Sequence, residues 1–424
     1  MGVLVRLTAG FAVFVAIVAY GLWTPVPSDI DQPHLIQIPA AAQKVLKFFQ
    51  AEWIGRVWFG HTNQFQLTRA IMKATVRTPA PDADPDLEVT DLVFNDVPVR
   101  VYRPRSASVP TPALMHFHGG GWCLGSIYHD LENPSRYIAR HSQAVVVAVE
   151  YRLAPEHPFP AALDDCVVAT AHVLKNGHEL GIDTSKVGVA GYSAGGNLAA
   201  AVSLRLQEPE FQTLPKLRYQ VLLMASLQKV DLNLPSTANE VFYGGLMSRQ
   251  GSADFALSYA GLDLSPDTVQ QVARNQHVLP ETKARLAKYV HRNLVKEELE
   301  RTSKTLKIEQ EVQPAETQTA ANRSLAALAE PIFLNPLFSP LLAEESSLQR
   351  LPRTMVVSAR YDIVRDDSLL FVRRLRAARV PVTSLLLETA HHISLTFFTP
   401  EPGSEVAKEA YRKVFDFMKQ AVNS

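Results

Sequence analysis

From about Leu87 onward, short apolar runs alternate with stretches whose apolar positions recur every three to four residues. The runs Ala113–Phe117, Ala144–Val149, Lys186–Ala190, Tyr219–Met224, Thr354–Ser358 and Val382–Leu387 predict strands. The helical spacing predicts helices over Asn133–His141, Ala161–Lys175, Gly195–Gln207, Asp367–Ala378 and Glu405–Ala421. Ahead of them, Leu92-Val93-Phe94, the turn pair Asn95-Asp96 and Val97–Tyr102 predict strand, turn and strand, with Pro98 suiting an edge strand. Such alternation implies the α/β class, with a mostly parallel central sheet covered by helices on both faces. The rhythm fails between about Ser226 and Asn335, which predicts an inserted helical cap over the strand ends. Within it, Leu286, Val290 and Leu294 form the stripe of one helix from Glu281 to about Glu311.

The N-terminus has a different pattern. Leu7–Trp23 carries no charge, with Arg6 before it and Asp29 and Asp31 after it. A membrane-crossing helix needs about 20 apolar residues and at least about 17, so this stretch predicts a transmembrane anchor. The position of Arg6 favours a cytoplasmic N-terminus and a lumenal or external body. A cleaved signal peptide, with Ala19 and Gly21 near the cut, is the competing reading. Thr24-Pro25-Val26-Pro27 ends the segment, and Val45, Phe49 and Trp53 predict an amphipathic helix within Ala40–Gly60. Three regions result: an anchor at 1–23, a linker with N-terminal cap helices at 24–86, and a main domain at 87–424 with its insertion at about 226–335.

Composition narrows the function. Hydrophobic residues make up 47% of the 424, enough for a large core. Lys+Arg and Asp+Glu are both 42, and no basic run suggests nucleic acid. With Cys123 and Cys166 as the only cysteines there is no thiolate metal cluster and no disulfide framework, though one bridge or two free thiols are both open. Asn322-Arg323-Ser324 is an acceptor pattern for N-glycosylation.

The candidate chemistry begins at Gly191-Tyr192-Ser193-Ala194-Gly195, between an apolar strand and a run of helix formers. A strand that turns into a helix this abruptly leaves the Ser193 hydroxyl exposed on a strained turn, as a nucleophile requires. Upstream, His118-Gly119-Gly120-Gly121 follows another strand. It lacks the spacing of a phosphate loop, but backbone N–H groups of Gly120 and Gly121, with that of Ala194, can hold an oxyanion, His118 bracing the loop. An activated serine needs a histidine base and an orienting carboxylate, in the order serine, acid, histidine. Asp362 lies just past a strand end, whereas Asp366 and Asp367 open a helix and suit first-turn charge. His391 and His392 both follow the last strand, and either is placed to serve as base.

These motifs resemble the arylacetamide deacetylase and neutral cholesterol ester hydrolase group of the hormone-sensitive-lipase-like α/β hydrolases. The resemblance rests on His118–Trp122, Tyr151–Pro160 with Ala161–Asp165, Gly191–Asn197, Asn335–Leu342 and Tyr361–Asp367. It implies the α/β-hydrolase fold, Ser193 as nucleophile, Asp362 as acid, His392 as base, and an oxyanion loop at His118-Gly119-Gly120-Gly121. It further implies a carboxylic ester hydrolase that also takes acetamides, acting on hydrophobic small molecules or lipids without metal or organic cofactor. The expected location is the endoplasmic reticulum membrane, with a lumenal body held by residues 7–23; the alternative is secretion after signal cleavage. Two positions depart from the family pattern. Tyr192 stands where the family usually has Asp, and Thr389-Ala390-His391-His392-Ile393 replaces Asp-Gly-Phe-His-Gly. A non-catalytic ligand-binding protein of the same fold is the competing reading.

Overall fold

A computed structural model describes residues 26–34, 37, 64–75, 78–238, 248–303, 320–396 and 401–423. The expected anchor at Leu7–Trp23, the whole of the expected helix over Ala40–Gly60 and the end of the Glu281–Glu311 pattern beyond Ser303 lie outside the described residues. Among the described residues no helix is long and apolar enough to cross a membrane.

The apolar runs become one eight-stranded sheet in the order β1-β2-β4-β3-β5-β6-β7-β8. The strands are β1 Leu87–Phe94, β2 Val97–Pro104, β3 Thr111–Phe117, β4 Val145–Val149, β5 Ile182–Tyr192, β6 Tyr219–Leu223, β7 Arg353–Tyr361 and β8 Val382–His391. β1, β2 and β4 pair antiparallel, and every pairing from β4 onward is parallel. The flanking helices are α1 Gln64–Thr75, α2 Glu132–Ser142, α3 Ala161–Asn176, α4 Ala194–Arg205, α5 Arg249–Ala260, α6 Pro266–Ala273, α7 Pro280–Leu286, α8 Arg292–Thr302, α9 Arg323–Phe333, α10 Arg365–Ala377 and α11 Glu405–Asn423.

Successive side chains of a strand point to opposite faces, and the core divides accordingly. Met115, Phe117, Val147, Val149 and Val189 face one side, where Leu198 of α4, Val167 of α3 and Phe371 of α10 cover them. Leu114, Val146, Ala148 and Ala190 face the other, under Ile138 of α2 and Phe417 of α11. Strands buried on both faces have no polar alternation to show, which explains their continuous apolar runs. Ala256, Leu257, Val295, Leu299 and Phe333, from α5, α8 and α9, join the first of these clusters, so the inserted helices share the sheet's core.

Two local expectations need correction, and the open question of the cysteines is answered. Pro98 is not on an edge strand, because β2 lies between β1 and β4. It sits at the hairpin end, beyond the last paired residue Val149, where its carbonyl accepts from Glu150 N and no ladder bond from its own nitrogen is needed. The pattern from Glu281 is two helices, α7 and α8. Extended His291 separates them, and its Nδ1 accepts from Asn293 N at 3.2 Å. Leu286 and Val290 are buried and Leu294 half-buried, so the apolar stripe faces the core although no single helix carries it. Cys123 and Cys166 are free and buried.

Candidate active site

β5, β7 and β8 run further than the apolar letters suggest, each ending on the residue before a polar site position. Ser193 follows β5, Asp362 follows β7 and His392 follows β8, so the parallel order β5-β6-β7-β8 gathers them at the same sheet edge. This is where open α/β sheets keep their sites.

Ser193 has φ 55 and ψ −116, an unusual conformation for a residue with a Cβ. It is held from both sides. Its N–H donates to Leu223 O at 2.9 Å, and its carbonyl accepts from Asn197 N at 3.1 Å and Ser226 N at 3.3 Å. A Cβ at Gly191 would overlap the carbonyl of Gly195, and one at Gly195 would overlap that of Phe117, so the turn closes only with glycine at both places. Asn197 Nδ2 ties the start of α4 to Ser226 O and Phe338 O at 2.8 and 2.9 Å.

His392 lies between the other two groups. Its Nδ1 is 2.8 Å from Asp362 Oδ1, and its Nε2 is 2.9 Å from Ser193 Oγ. An ionised carboxylate can only accept, so it selects the tautomer with the proton on Nδ1 and leaves Nε2 free to accept from the serine. Asp362 is fully buried, and Val364 N donates to its Oδ1 at 3.0 Å. His391 points elsewhere: its Nε2 is buried without a partner among the described residues, and burial pulls its pKa down to about 4.

The glycine loop lies beside the elbow. Gly119 packs against the Tyr192 ring, and Gly120 and Gly121 have φ 111 and 60, values that L side chains rarely adopt. Gly120 O accepts from Cys123 N and Leu124 N at 3.1 and 2.8 Å, folding the loop back on itself. Among the described residues none accepts from the N–H of Gly120, Gly121 or Ala194. His118 is a brace. Its Nδ1 is 2.7 Å from Gly119 O and 3.0 Å from Tyr151 Oη, which itself donates to His118 O at 2.8 Å. The two rings stack at 4.0 Å, and burial lowers the His118 pKa to about 4, so the imidazole is neutral. The Tyr151–Pro160 stretch contributes Tyr151 to this brace, and Ala154 N donates to Trp122 O at 2.9 Å. Below, Trp122 stacks on Tyr259 of α5 at 4.6 Å with 3° between the planes.

Sequence reasoning missed the second tie between sheet and cap. Asp367 is more than first-turn charge. Its Oδ2 accepts from Leu227 N and Gln228 N at 3.0 and 3.3 Å, and its Oδ1 from Gln228 Nε2 at 2.8 Å. Asp366 accepts from Ser236 N at 2.7 Å and from Arg365 Nε at 2.9 Å. Both carboxylates thus anchor the chain leaving β6; the signal available was two adjacent acids shortly before the apolar run Leu369-Leu370-Phe371. Asn322 caps α9: its Oδ1 accepts from Leu325 N at 3.1 Å, while Nδ2, the atom that would carry a glycan, donates to Gln271 Oε1 at 2.7 Å. Among the described residues no group of three or more His, Cys, Asp or Glu side chains is arranged to hold a metal.

The sequence matches the α/β hydrolase fold family over residues 114–282 and 260–396. Arylacetamide deacetylase of Bos taurus is 32% identical over 407 residues, 94% of this chain and 96% of that one. Arylacetamide deacetylase-like 2 of Homo sapiens is 35% identical over 325 residues, 75% of this chain and 76% of that one. Among solved structures, a thermostable esterase from Pseudomonas putida superimposes with a TM-score of 0.58 at 24% identity, covering 90% of this chain and 97% of its own. An esterase from Pyrobaculum calidifontis gives 0.57 at 24%, covering 89% and 98%. At those identities the structural likeness speaks for the fold alone.

Proposed function

Because the chain belongs to the α/β hydrolase fold family and is a carboxylic ester hydrolase of the arylacetamide deacetylase kind, we propose that Ser193, His392 and Asp362 carry its acyl transfer. Ser193 Oγ attacks the substrate carbonyl as His392 Nε2 takes its proton. Asp362 holds the ring and stabilises the imidazolium. The N–H groups of Gly120, Gly121 and Ala194 receive the oxyanion, within the loop that His118 and Gly119 support. His392 then protonates the leaving alcohol or amine, and water, activated by the same nitrogen, releases the acid. The observation that carries this reading is the unbroken chain of hydrogen bonds from Asp362 Oδ1 through His392 to Ser193 Oγ.

The substrates are hydrophobic esters and acetamides. The half-buried Phe255 of α5 supports this, since its ring lies against Gly121, and Phe65 of α1 packs on it at 5.4 Å between centroids. An anchor at residues 7–23, with the body in the lumen of the endoplasmic reticulum, fits both the uncharged stretch and the Arg6/Asp29 asymmetry. Asn322 remains the glycosylation candidate on that side.

A fluorophosphonate probe tests the nucleophile: wild type should label and Ser193→Ala should not. Histidine choice is read from ester turnover. His392→Ala should lose at least about a thousandfold in kcat, while His391→Ala should retain activity; the reverse result would reassign the base. Resistance to alkaline carbonate extraction, lost on deleting residues 1–23, tests the anchor.

A further inference from the structure

Lys229 is buried to 95% of its surface in the loop that leaves β6. An ammonium carries three donors. Here one is used, at 3.0 Å to Ser252 Oγ of α5, and among the described residues no carboxylate lies within ion-pairing distance. The two acids nearby are engaged with other groups, Asp362 with His392 and Asp367 with Leu227 and Gln228. Burial lowers the lysine's pKa, and the charges of Asp367 and Asp362 oppose that shift.

The position is fixed and close to the reaction centre from two directions. Along the chain, Ser226, three residues earlier, donates its N–H to Ser193 O. His277 Nε2 lies 2.8 Å from Lys229 O, and Gln228 Oε1 accepts from Val230 N at 2.7 Å, so the loop is rigid. Through the cap, Ser252 and Phe255 stand three apart on α5, on one face of the helix. Phe255 lies over Gly121. The lysine's contact is therefore about one helical turn, roughly 5 Å along the axis, from the ring that roofs the glycine loop. A buried cation with spare donors is expensive unless an anion meets it.

We propose that Lys229, seated against Ser252, is an anion-recognising subsite of the active-site roof, so that esters bearing a carboxylate or similar anion near the reacting carbonyl are preferred over neutral ones of the same size. This rests on the ester-hydrolase reading above and adds a substrate class to it. The anion would accept the donors that Ser252 leaves open, and a charge-assisted bond in a site that excludes water discriminates strongly against a substrate lacking the partner.

Two matched pairs of esters test it in the full-length protein: para-nitrophenyl butyrate against the para-nitrophenyl monoester of glutaric acid for the acyl side, and the methyl ester of para-acetoxybenzoate against para-acetoxybenzoate for the alcohol side. For at least one pair, Lys229→Met should lower the anionic-to-neutral ratio of kcat/KM by about tenfold or more relative to wild type. Ser252→Ala, which frees a donor without removing the charge, should keep the wild-type ratio. Fluorophosphonate labelling of each variant establishes that its site is folded, and Lys229→Gln replaces Lys229→Met if that variant does not label. Turnover of the neutral esters with an unchanged ratio in both pairs would overturn the subsite and leave the hydrolase reading intact. Absence of turnover for all four esters would instead count against that reading.

Discussion

Tyr192, beside the nucleophile, is one of the two places where this chain departs from the pattern it resembles. Its ring lies 5.3 Å from that of His392, tilted by 55°, and Gly119 packs against its edge. Its hydroxyl is buried without a partner among the described residues, and burial, with the charge of Asp362, keeps the phenol protonated. The ring is therefore a wall between glycine loop and imidazole, and the hydroxyl is a desolvation cost. Tyr192→Phe is expected to label like wild type with fluorophosphonate and to be unchanged or more stable by about 1 kcal/mol in urea unfolding. Tyr192→Ala should lose about 3–5 kcal/mol together with labelling. Loss of labelling in Tyr192→Phe would mean that the hydroxyl, not the ring, supports the site. At this scale the sequence was readable where chemistry leaves a local mark. Glycines crowd Ser193 because backbone meets backbone there, and Asp362 stands at a strand end. The residues alone left His391 and His392 open, and only the resemblance selected His392, because neighbouring residues on a chain leaving a strand point to opposite sides and the loop's path decides which one meets Ser193.

Elements were legible where burial on both faces leaves long apolar runs, as in β3, β4 and β6. They were cut short where strands end in polar letters: Glu388 and Thr389 lie within β8, in the irregular stretch between the paired residues Leu387 and His391. The split between α7 and α8 was hidden because the apolar stripe continues across it. Helix capping gives a prediction at this scale. Asn322 supplies the N-cap of α9, and capping side chains are worth about 1 kcal/mol. Asn322→Ala should therefore destabilise the protein by about that amount in an unglycosylated preparation, measured by urea unfolding. Ser324→Ala abolishes the same acceptor pattern without touching the cap and should be neutral. A glycan effect is to be read from Ser324→Ala, and equal destabilisation by both variants would show that capping is not the cause.

Among the described residues, four deeply buried histidines are held by burial below the ordinary value of 6.5: His116 at about 3 and His118, His277 and His391 at about 4. Between those values and 6.5 the unfolded chain binds protons that the folded chain refuses. Their contribution to stability is thus present above pH 6.5 and lost as pH falls towards 4. Asp367, raised to about 6 by burial, has the opposite sign: its contribution is present below 3.8 and lost as pH rises through 6. Burial raises Asp130, Glu150 and Asp164 with the same sign as Asp367, so four carboxyls stand against four imidazoles. The histidines dominate at the upper end of the window because the unfolded imidazole takes up its proton near 6.5, above the ordinary range of any carboxyl. Urea unfolding across pH 7 to 4.5 should show stability declining with acid. His277→Gln should flatten the slope by one proton's worth, about 1.4 kcal/mol per pH unit; an unchanged slope would mean that His277 titrates normally.

The near-parallel seat of Trp122 on Tyr259 makes the oxyanion loop an optical element. Trp122 directly follows Gly121; the sequence has three further tryptophans, Trp23, Trp53 and Trp58, so the signal of Trp122 is taken as the difference between the wild-type spectrum and that of Trp122→Phe. An indole locked against a phenol gives rotational strength in the near ultraviolet that a freely turning ring averages away. Circular dichroism in that band should therefore gauge whether the loop is seated, while the far-ultraviolet signal counts only helices and strands. A cap that lifts α5 from the loop would dim the first and spare the second, so opening of the site could be followed without any added dye.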